Sequence, residues 1–574
     1  MNVTPLNLVL IVLGALLAVW LLRKAQRRLV LSRAKHRSLA GHSKWSRRLA
    51  KLVPFYEYDE NEFFCADGAP REVATQRRAA FDRLAALYAQ RFAKSAQASA
   101  EIAGGVSDVQ FTSRYRVPFQ FSSFVRKHLK GGNFLQSSQG STVIDLDGNE
   151  LYDLTGSYGV NVFGTDFYKG CIERGAKLVA DLGPVLGSFH PVLAYNVRRL
   201  REISGLDEVS FHMSGTEAVM QAVRLARYHT RRTHLVRFCG AYHGWWGDVQ
   251  PGIGNPITAH ETYTLADMSA KSLKVLRTRT DIACVLVNPL QAMHPNGNAP
   301  SDSMLLDSGR KAHFDRDAYR AWLLELREVC TARNIVLIFD EVFMGFRLAA
   351  GGAQEYFGVR ADLVTYGKTL GGGLPVGVLC GRKDLMKRFR EDAPADVCFA
   401  RGTFNSHPYV MGAMHEFLVA LESESVRAKY IGLDATWNRR AGELNATLAG
   451  AGLPLQVVNF QSIWSLLYTR PSRYNWMLQY YLRAAGLALS WVGTGRLIFR
   501  IDLPEDDFAQ IARRIVDAAA AMERDGWWWT APELTNAAIR RRVRRETLRA
   551  RGLFRGWGRS ALPSSSTAAT SNKA

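Results

Sequence analysis

The chain has 574 residues, 47% of them hydrophobic, which exceeds what one small domain needs and is ample for a large core. Its formal net charge of +22 does not describe a nucleic-acid groove, because residues 1–50 carry +10, residues 531–574 carry +8, and residues 51–530 only +4. Seven scattered cysteines with no C-x-x-C pair make a poor disulfide framework, and metal-ligand spacing is absent, so reduced thiols and no metal are expected.

Leu6 to Leu22, LNLVLIVLGALLAVWLL, is 17 residues without a charge, the short end of a membrane-spanning helix. A cleaved signal peptide would want basic residues before the apolar run and small ones after it. Here Arg23, Lys24, Arg27 and Arg28 follow instead. Residues 1–50 are expected to be a transmembrane anchor with a basic collar, Arg23 to Arg48. The collar is either a solvated linker or a contact with anionic lipid headgroups. Positive residues mark the cytoplasmic side, so the body is expected there.

Residues 51–140 read as a helical extension. Phe81, Leu84, Leu87, Tyr88 and Phe92 share one predicted helix face, which packs on the body or on a partner subunit. Phe111 to Phe124, FTSRYRVPFQFSSF, lines a substrate entrance or simply packs.

Thr142 to Asn149, TVIDLDGN, alternates into an Asp-Gly turn, a hairpin signal, and LYDLTGSYG follows. In FHMSGTEAVMQAVRLAR, Ser214, Gly215 and Thr216 lie just before an apolar-faced helix. Such a helix start offers free N–H groups and hydroxyls to a phosphate, or is a plain cap. The short strand Leu235 to Phe238 delivers Tyr242 and His243, and Trp245 and Trp246 stand ready to wall a pocket. Ile282 to Asn288 is another strand, and Gln291 to Asp315 reads as a surface excursion.

Ile335 to Phe339 is a continuous apolar run, the mark of a strand buried on both faces, and Asp340 appears at its end. In open parallel sheets, ligands bind at the carboxyl ends of strands. A cap for a helix starting at Glu341 would also explain the aspartate. Further on, ADLVTYGKTLGGGLPVG delivers Lys368 from an apolar strand into a glycine-rich turn. Burial lowers a lysine pKa, and a neutral amine forms a Schiff base with an aldehyde. An acid fixed beside such a lysine suggests pyridoxal phosphate, whose ring nitrogen takes a carboxylate partner.

IVLIFDEVFMGFR followed by ADLVTYGKTLGGGLPVG resembles the class III (subgroup II) pyridoxal-phosphate aminotransferases, and within them the glutamate-1-semialdehyde aminomutase branch. The resemblance covers roughly Thr142 to Arg524. It implies an α/β fold, pyridoxal-phosphate fold type I. Residues 141–416 would form a large, mostly parallel-sheet domain and 417–530 a small α+β domain. It implies that Lys368 carries the cofactor and moves the proton, and that Asp340 keeps the ring nitrogen protonated. Tyr242 would stack on the ring beside His243, and Ser214, Gly215 and Thr216 would hold the phosphate. Thr403, in RGTFNSH, would reach the phosphate of the other subunit's cofactor, which requires a homodimer. Ser157 and Tyr158 match positions near the substrate. Asn288, a further substrate-contact candidate, stands where relatives commonly have glutamate.

Gly486 to Leu503 does not reproduce the aminomutase branch's usual pattern. Transfer from an amino acid donor to a separate carbonyl acceptor is therefore expected, with the intramolecular aminomutase reaction as the alternative. The anchor suggests an amphipathic or acyl-linked acceptor, and Arg500 offers a carboxylate contact. A decarboxylase or racemase on the same scaffold, or a catalytically silent membrane scaffold, would be the other readings; intact Lys368 and Asp340 argue against the last. Finally, Trp527 to Trp529 precede a basic stretch containing Leu534, Ile539, Val543, Leu548, Leu553 and Phe554. Residues 531–574 thus read as an interfacial amphipathic tail or a solvated one, disordered at its end.

Overall fold

The computed structural model describes residues 5–36, 42–110, 117–132, 134–250, 254, 257, 259–293, 314–489 and 496–552. Its centre is a seven-stranded sheet. The order is Glu208–His212, Gly377–Gly381, Leu363–Gly367, Val336–Asp340, Ile282–Val287, His234–Phe238, Thr262–Leu265. Gly377–Gly381 runs antiparallel to both neighbours, and the other pairs are parallel. The apolar runs are uninterrupted because both faces are buried. Val336, Ile338, Leu286 and Leu363 pack beneath helix Gly215–Thr230. Leu337, Phe339, Val285 and Val364, one residue out of phase, belong to the larger core on the opposite face.

Two smaller sheets flank this one. The predicted hairpin is Thr142–Asp145 against Glu150–Asp153, antiparallel, in a four-stranded sheet with Leu135–Gln139 and Leu487–Ala488. Leu455–Phe460, Ile463–Tyr468 and Arg496–Ile498 form a C-terminal three-stranded sheet. Arg347 is fully buried and ties these parts together, donating to Ser462 Oγ (3.0 Å), the Phe499 carbonyl (2.7 Å) and the Asn161 carbonyl (3.1 Å).

The N-terminal helix runs Pro5–Ala34, well past the apolar run, so the first half of the basic collar is helix rather than linker. Val9 to Leu29 are exposed, whereas Val30 and Leu31 pack on the core and Ala34 is buried. The Ala266 N–H donates to the Ala34 carbonyl at 2.9 Å, which docks the last turn beside helix Ala270–Thr278. Among the described residues this is the one helix long and apolar enough to cross a membrane.

The extension forms helices Arg71–Arg91 and Ala93–Ala103, broken at Phe92. Phe81, Leu84, Tyr88 and Phe92 are buried, but Leu87 is 39% exposed and does not belong to that face. The docking partner is the C-terminal part of the same chain: Tyr88 donates to the Tyr480 carbonyl at 2.9 Å. In helix Phe119–His128, Phe121 and Phe124 pack against Phe63, and Phe121 also against Trp476, so this part of the aromatic stretch is core. Residues 111–116 lie outside the described residues.

In the tail, apolar residues expected at an interface or in solvent face the body instead. Trp527 and Trp528 are buried, their indole N–H groups donating to Tyr481 Oη and Asn475 Oδ1, each at 2.8 Å. Helix Asn536–Ala550 buries Ile539 and turns Glu546 inward to Arg473 (2.8 Å) and Tyr58 (2.5 Å), so its apolar side is spent on the body. Leu553 and Phe554 lie outside the described residues.

The extension is locked by a buried ion pair. Arg77 donates to Asp67 Oδ2 (2.7 Å), the Phe64 carbonyl (2.8 Å) and the Gly526 carbonyl (2.8 Å), with both charged side chains fully buried. Removing one partner leaves a buried charge uncompensated. Arg77→Ala should therefore lower unfolding stability by about 3 kcal/mol in a urea titration. Arg83→Ala, at the exposed pair with Asp525, should cost no more than about 1 kcal/mol.

Candidate active site

Six strands of the large sheet point the same way, and five of them hand a predicted site residue to the same edge. Glu208–His212 leads to Ser214, His234–Phe238 to Tyr242 and His243, and Ile282–Val287 to Asn288; Val336–Asp340 ends at Asp340, and Leu363–Gly367 leads to Lys368. Asp340 pairs with Thr365 across two adjacent parallel strands, so the acid and the lysine leave the sheet side by side.

Asp340 is nearly buried. Its Oδ2 accepts from His243 Nδ1 at 2.8 Å. Its Oδ1 receives only long contacts, from Val342 N at 3.2 Å and Thr365 Oγ1 at 3.5 Å, and so keeps capacity for a strong donor. No helix begins at Glu341; its own carboxylate is taken by the N–H groups of Ala353 (2.6 Å) and Gln354 (3.0 Å). Burial pushes the Glu341 pKa up to about 8. His243 is fully enclosed. Burial holds its pKa below the usual histidine range, against the pull of Asp340. The neutral ring then donates from Nδ1 and leaves Nε2 without a partner.

Lys368 sits at φ 48°, a conformation a lysine seldom adopts, with its Nζ 4.6 Å from the centre of the Phe343 ring. Burial brings its pKa down to about 8; Asp340 raises it, and the cations Arg347 and Arg496 lower it further. A larger share of the amine is thus neutral near neutral pH than an exposed lysine would offer. Space beside it is kept by Gly159, at φ +100°, where a Cβ would meet the Phe343 ring at 2.6 Å and Lys368 Cδ at 3.3 Å.

Ser214 caps helix Gly215–Thr230, its Oγ accepting from Glu217 N at 3.3 Å. The N–H groups of Gly215 and Thr216 have no intrahelical acceptor and sit at the positive helix end. Gly244 closes on this turn, since a Cβ there would meet Thr216 Oγ1 at 2.4 Å. Tyr242 is 59% exposed above the edge.

Ser157 and Tyr158 lie exposed in the turn Gly156–Gly159, at φ 45° and 56°, just before the glycine that borders Lys368. Asn288 is placed differently from a substrate contact. It is buried, its Nδ2 donates to the Tyr242 carbonyl (3.0 Å), and its Oδ1 accepts from Leu290 N (3.1 Å), so it secures the loop under Tyr242. Thr403 is exposed on a turn, and no described contact joins it to Lys368 or Asp340 of its own chain. Trp246 packs into the smaller core, leaving only Trp245 exposed. Arg500 is engaged by Asp502 through two contacts, at 2.6 and 3.0 Å. The sequence reading missed Phe343, Gly159 and Glu341. Phe343 stands three residues past Asp340 in the same motif, which is the one signal that could have found it.

An aldehyde-reactive amine, a carboxylate with a free lone pair, an exposed aromatic ring and a helix N-terminus at one sheet edge fit pyridoxal phosphate. Its aldehyde, ring nitrogen, ring face and phosphate each find a complementary group. The Aminotransferase class-III family description matches residues 126–248 and 315–444. The glutamate-1-semialdehyde 2,1-aminomutase of Methanosarcina acetivorans is 32% identical over 372 residues, 61% of this chain and 81% of that one. That of Acetivibrio thermocellus is 35% identical over 297 residues, 49% of this chain and 64% of that one. A solved transaminase with PLP bound is 25% identical and superposes with a TM-score of 0.57, covering 68% of this chain and 92% of its own.

The fold and the matches define a pyridoxal-phosphate enzyme of fold type I. The chain belongs to the class III aminotransferase family.

Two outcomes test the site. The rate at which apo-protein covalently captures pyridoxal phosphate should rise with pH through a midpoint near 8, as the Lys368 amine loses its proton, not near 10.5. Stopped-flow absorbance measures it. His243→Ala should weaken cofactor affinity by about tenfold through loss of one charge-assisted hydrogen bond, read by equilibrium dialysis, with His243→Asn restoring part of it.

Proposed function

We propose a membrane-anchored aminotransferase that moves an amino group from an amino acid donor to a carbonyl acceptor, amphipathic or acyl-linked. The pairing of Lys368 with Asp340 at one sheet edge carries the chemical part of this reading. The exposed apolar helix Pro5–Ala34 carries the membrane part, and the arginines after the apolar run favour a cytoplasmic body. When bound, pyridoxal phosphate supplies an aldehyde and a cationic ring that absorbs negative charge from the substrate carbon. Lys368 would hold that aldehyde, and its amine would carry the proton at the substrate carbon. Asp340 would accept from the protonated ring nitrogen, and His243 keeps Asp340 oriented. Tyr242 covers the ring face, and Phe343 shields the lysine amine from water. Ser214 with the N–H groups of Gly215 and Thr216 seats the phosphate, joined by Thr403 of the partner subunit. Ser157 and Tyr158 border the substrate.

The named aminomutase relatives support a second reading, intramolecular transfer on a semialdehyde. Half-reactions on detergent-solubilised protein separate the two. An amino acid donor should bleach the visible cofactor band and a carbonyl acceptor restore it; turnover of a semialdehyde with no donor would favour the aminomutase. A chain that stays colourless with added cofactor would be neither. Removing residues 1–50 should depress turnover of long-chain acceptors in membranes and spare short soluble ones.

Thr403 is tested by mixing subunits. Lys368→Ala and Thr403→Ala proteins should each be impaired alone. Random hybrids should recover roughly a quarter of wild-type sites, because each heterodimer assembles one intact site.

A further inference from the structure

One basic element remains unused by this reading. Helix Asn536–Ala550 is held to the body by Ile539 and Glu546, and its opposite face carries Arg541, Arg544, Arg545 and Arg549, all exposed. Arg541 reaches only the Ala537 carbonyl in its own helix, at 3.4 Å, and none of the four meets a carboxylate among the described residues. Like charges at these spacings repel, so the arrangement is unfavourable unless an anionic surface faces it.

This helix ends beside the other basic terminus. Arg551 donates to the Lys51 carbonyl at 3.5 Å. Lys51 follows helix Ser43–Ala50, where Trp45 is 59% exposed with the Arg48 guanidinium 5.6 Å from its ring centre. Leu52, Val53 and Phe55 continue the exposed run, and residues 1–56 contain no Asp or Glu. Exposed aromatic and aliphatic side chains among cations suit a bilayer interface, where rings lie at headgroup level and guanidiniums meet phosphates. A nucleic acid would give Leu52 and Val53 nothing to enter. Ser43 also lies within about 30 Å of the end of the long apolar helix, the reach of the intervening residues.

We propose that the arginine face of helix Asn536–Ala550 and the adjoining segment 43–55 form one seat for an anionic phospholipid surface. It rests on the membrane reading above and adds a contact separate from the long helix. Both chain ends then press the body onto the bilayer.

The full-length chain is reconstituted into vesicles of phosphatidylcholine, with or without about a third phosphatidylglycerol, and hydrogen exchange is followed in peptides 43–55 and 536–550. The anionic lipid should slow exchange in both by roughly tenfold or more, and about 0.5 M salt should reverse it. The variant R541Q/R544Q/R545Q/R549Q should lose this protection with circular dichroism and unfolding unchanged, since the four side chains are exposed. Equal exchange in both lipids, or protection that survives the four substitutions, overturns the proposal. Protection by an RNA oligonucleotide but not by phosphatidylglycerol overturns it too. Carbonate extraction reads the long helix separately: a chain stripped by carbonate that still shows lipid-dependent protection keeps the seat and loses the anchor.

Discussion

The hydrogen bond from His243 to Asp340 is the interaction on which the chemistry depends. A carboxylate this deep needs hydrogen-bond donors, and the neutral imidazole of His243 supplies one to Oδ2 and so fixes the direction of the other oxygen. That other oxygen is left underused, and the histidine's own second nitrogen is sacrificed without a partner to achieve it. Burial also lowers the pKa of Lys368 to about 8. One low-dielectric edge thus brings an oriented carboxylate and a loosened amine to adjacent strand ends.

Around this edge, the chain spends its buried charges on joining parts. Arg347 binds three segments, at Asn161, Ser462 and Phe499. Arg77 with Asp67, and Arg473 with Glu546 and Tyr58, bind appendages from opposite ends of the chain to one another and to the turn at Gly526. Each guanidinium also reaches backbone carbonyls, which multiplies the contacts one residue can satisfy. The appendages are therefore integral to the body and do not hang from it.

The sheet was legible because strands buried on both faces leave uninterrupted apolar runs, and their ends mark where ligands bind. Lys368, Asp340, Ser214 and Tyr242 could be read from those ends. Phe343 and Gly159 could not, because their roles arise only when distant segments close on each other. The bond from the Asn288 amide to the Tyr242 carbonyl was hidden for the same reason, since it joins residues 46 positions apart. The tail shows the limit most clearly. A lone glutamate among arginines gives no hint that it faces inward, yet with Ile539 it marks the face of the helix that meets the body. The tryptophans before it looked interfacial only because hydrophobicity alone cannot distinguish a core from a bilayer.

The thirty-residue helix Pro5–Ala34 would be about 45 Å long, and a hydrocarbon core takes about 30 Å of that. Its last turn is bonded to the loop leaving the outermost strand of the catalytic sheet. That bond ties the helix end to the sheet's border. On the proposed membrane reading, tilt of the helix with bilayer thickness would be felt at this border, so lipid composition would bear on how the sheet edge faces the membrane.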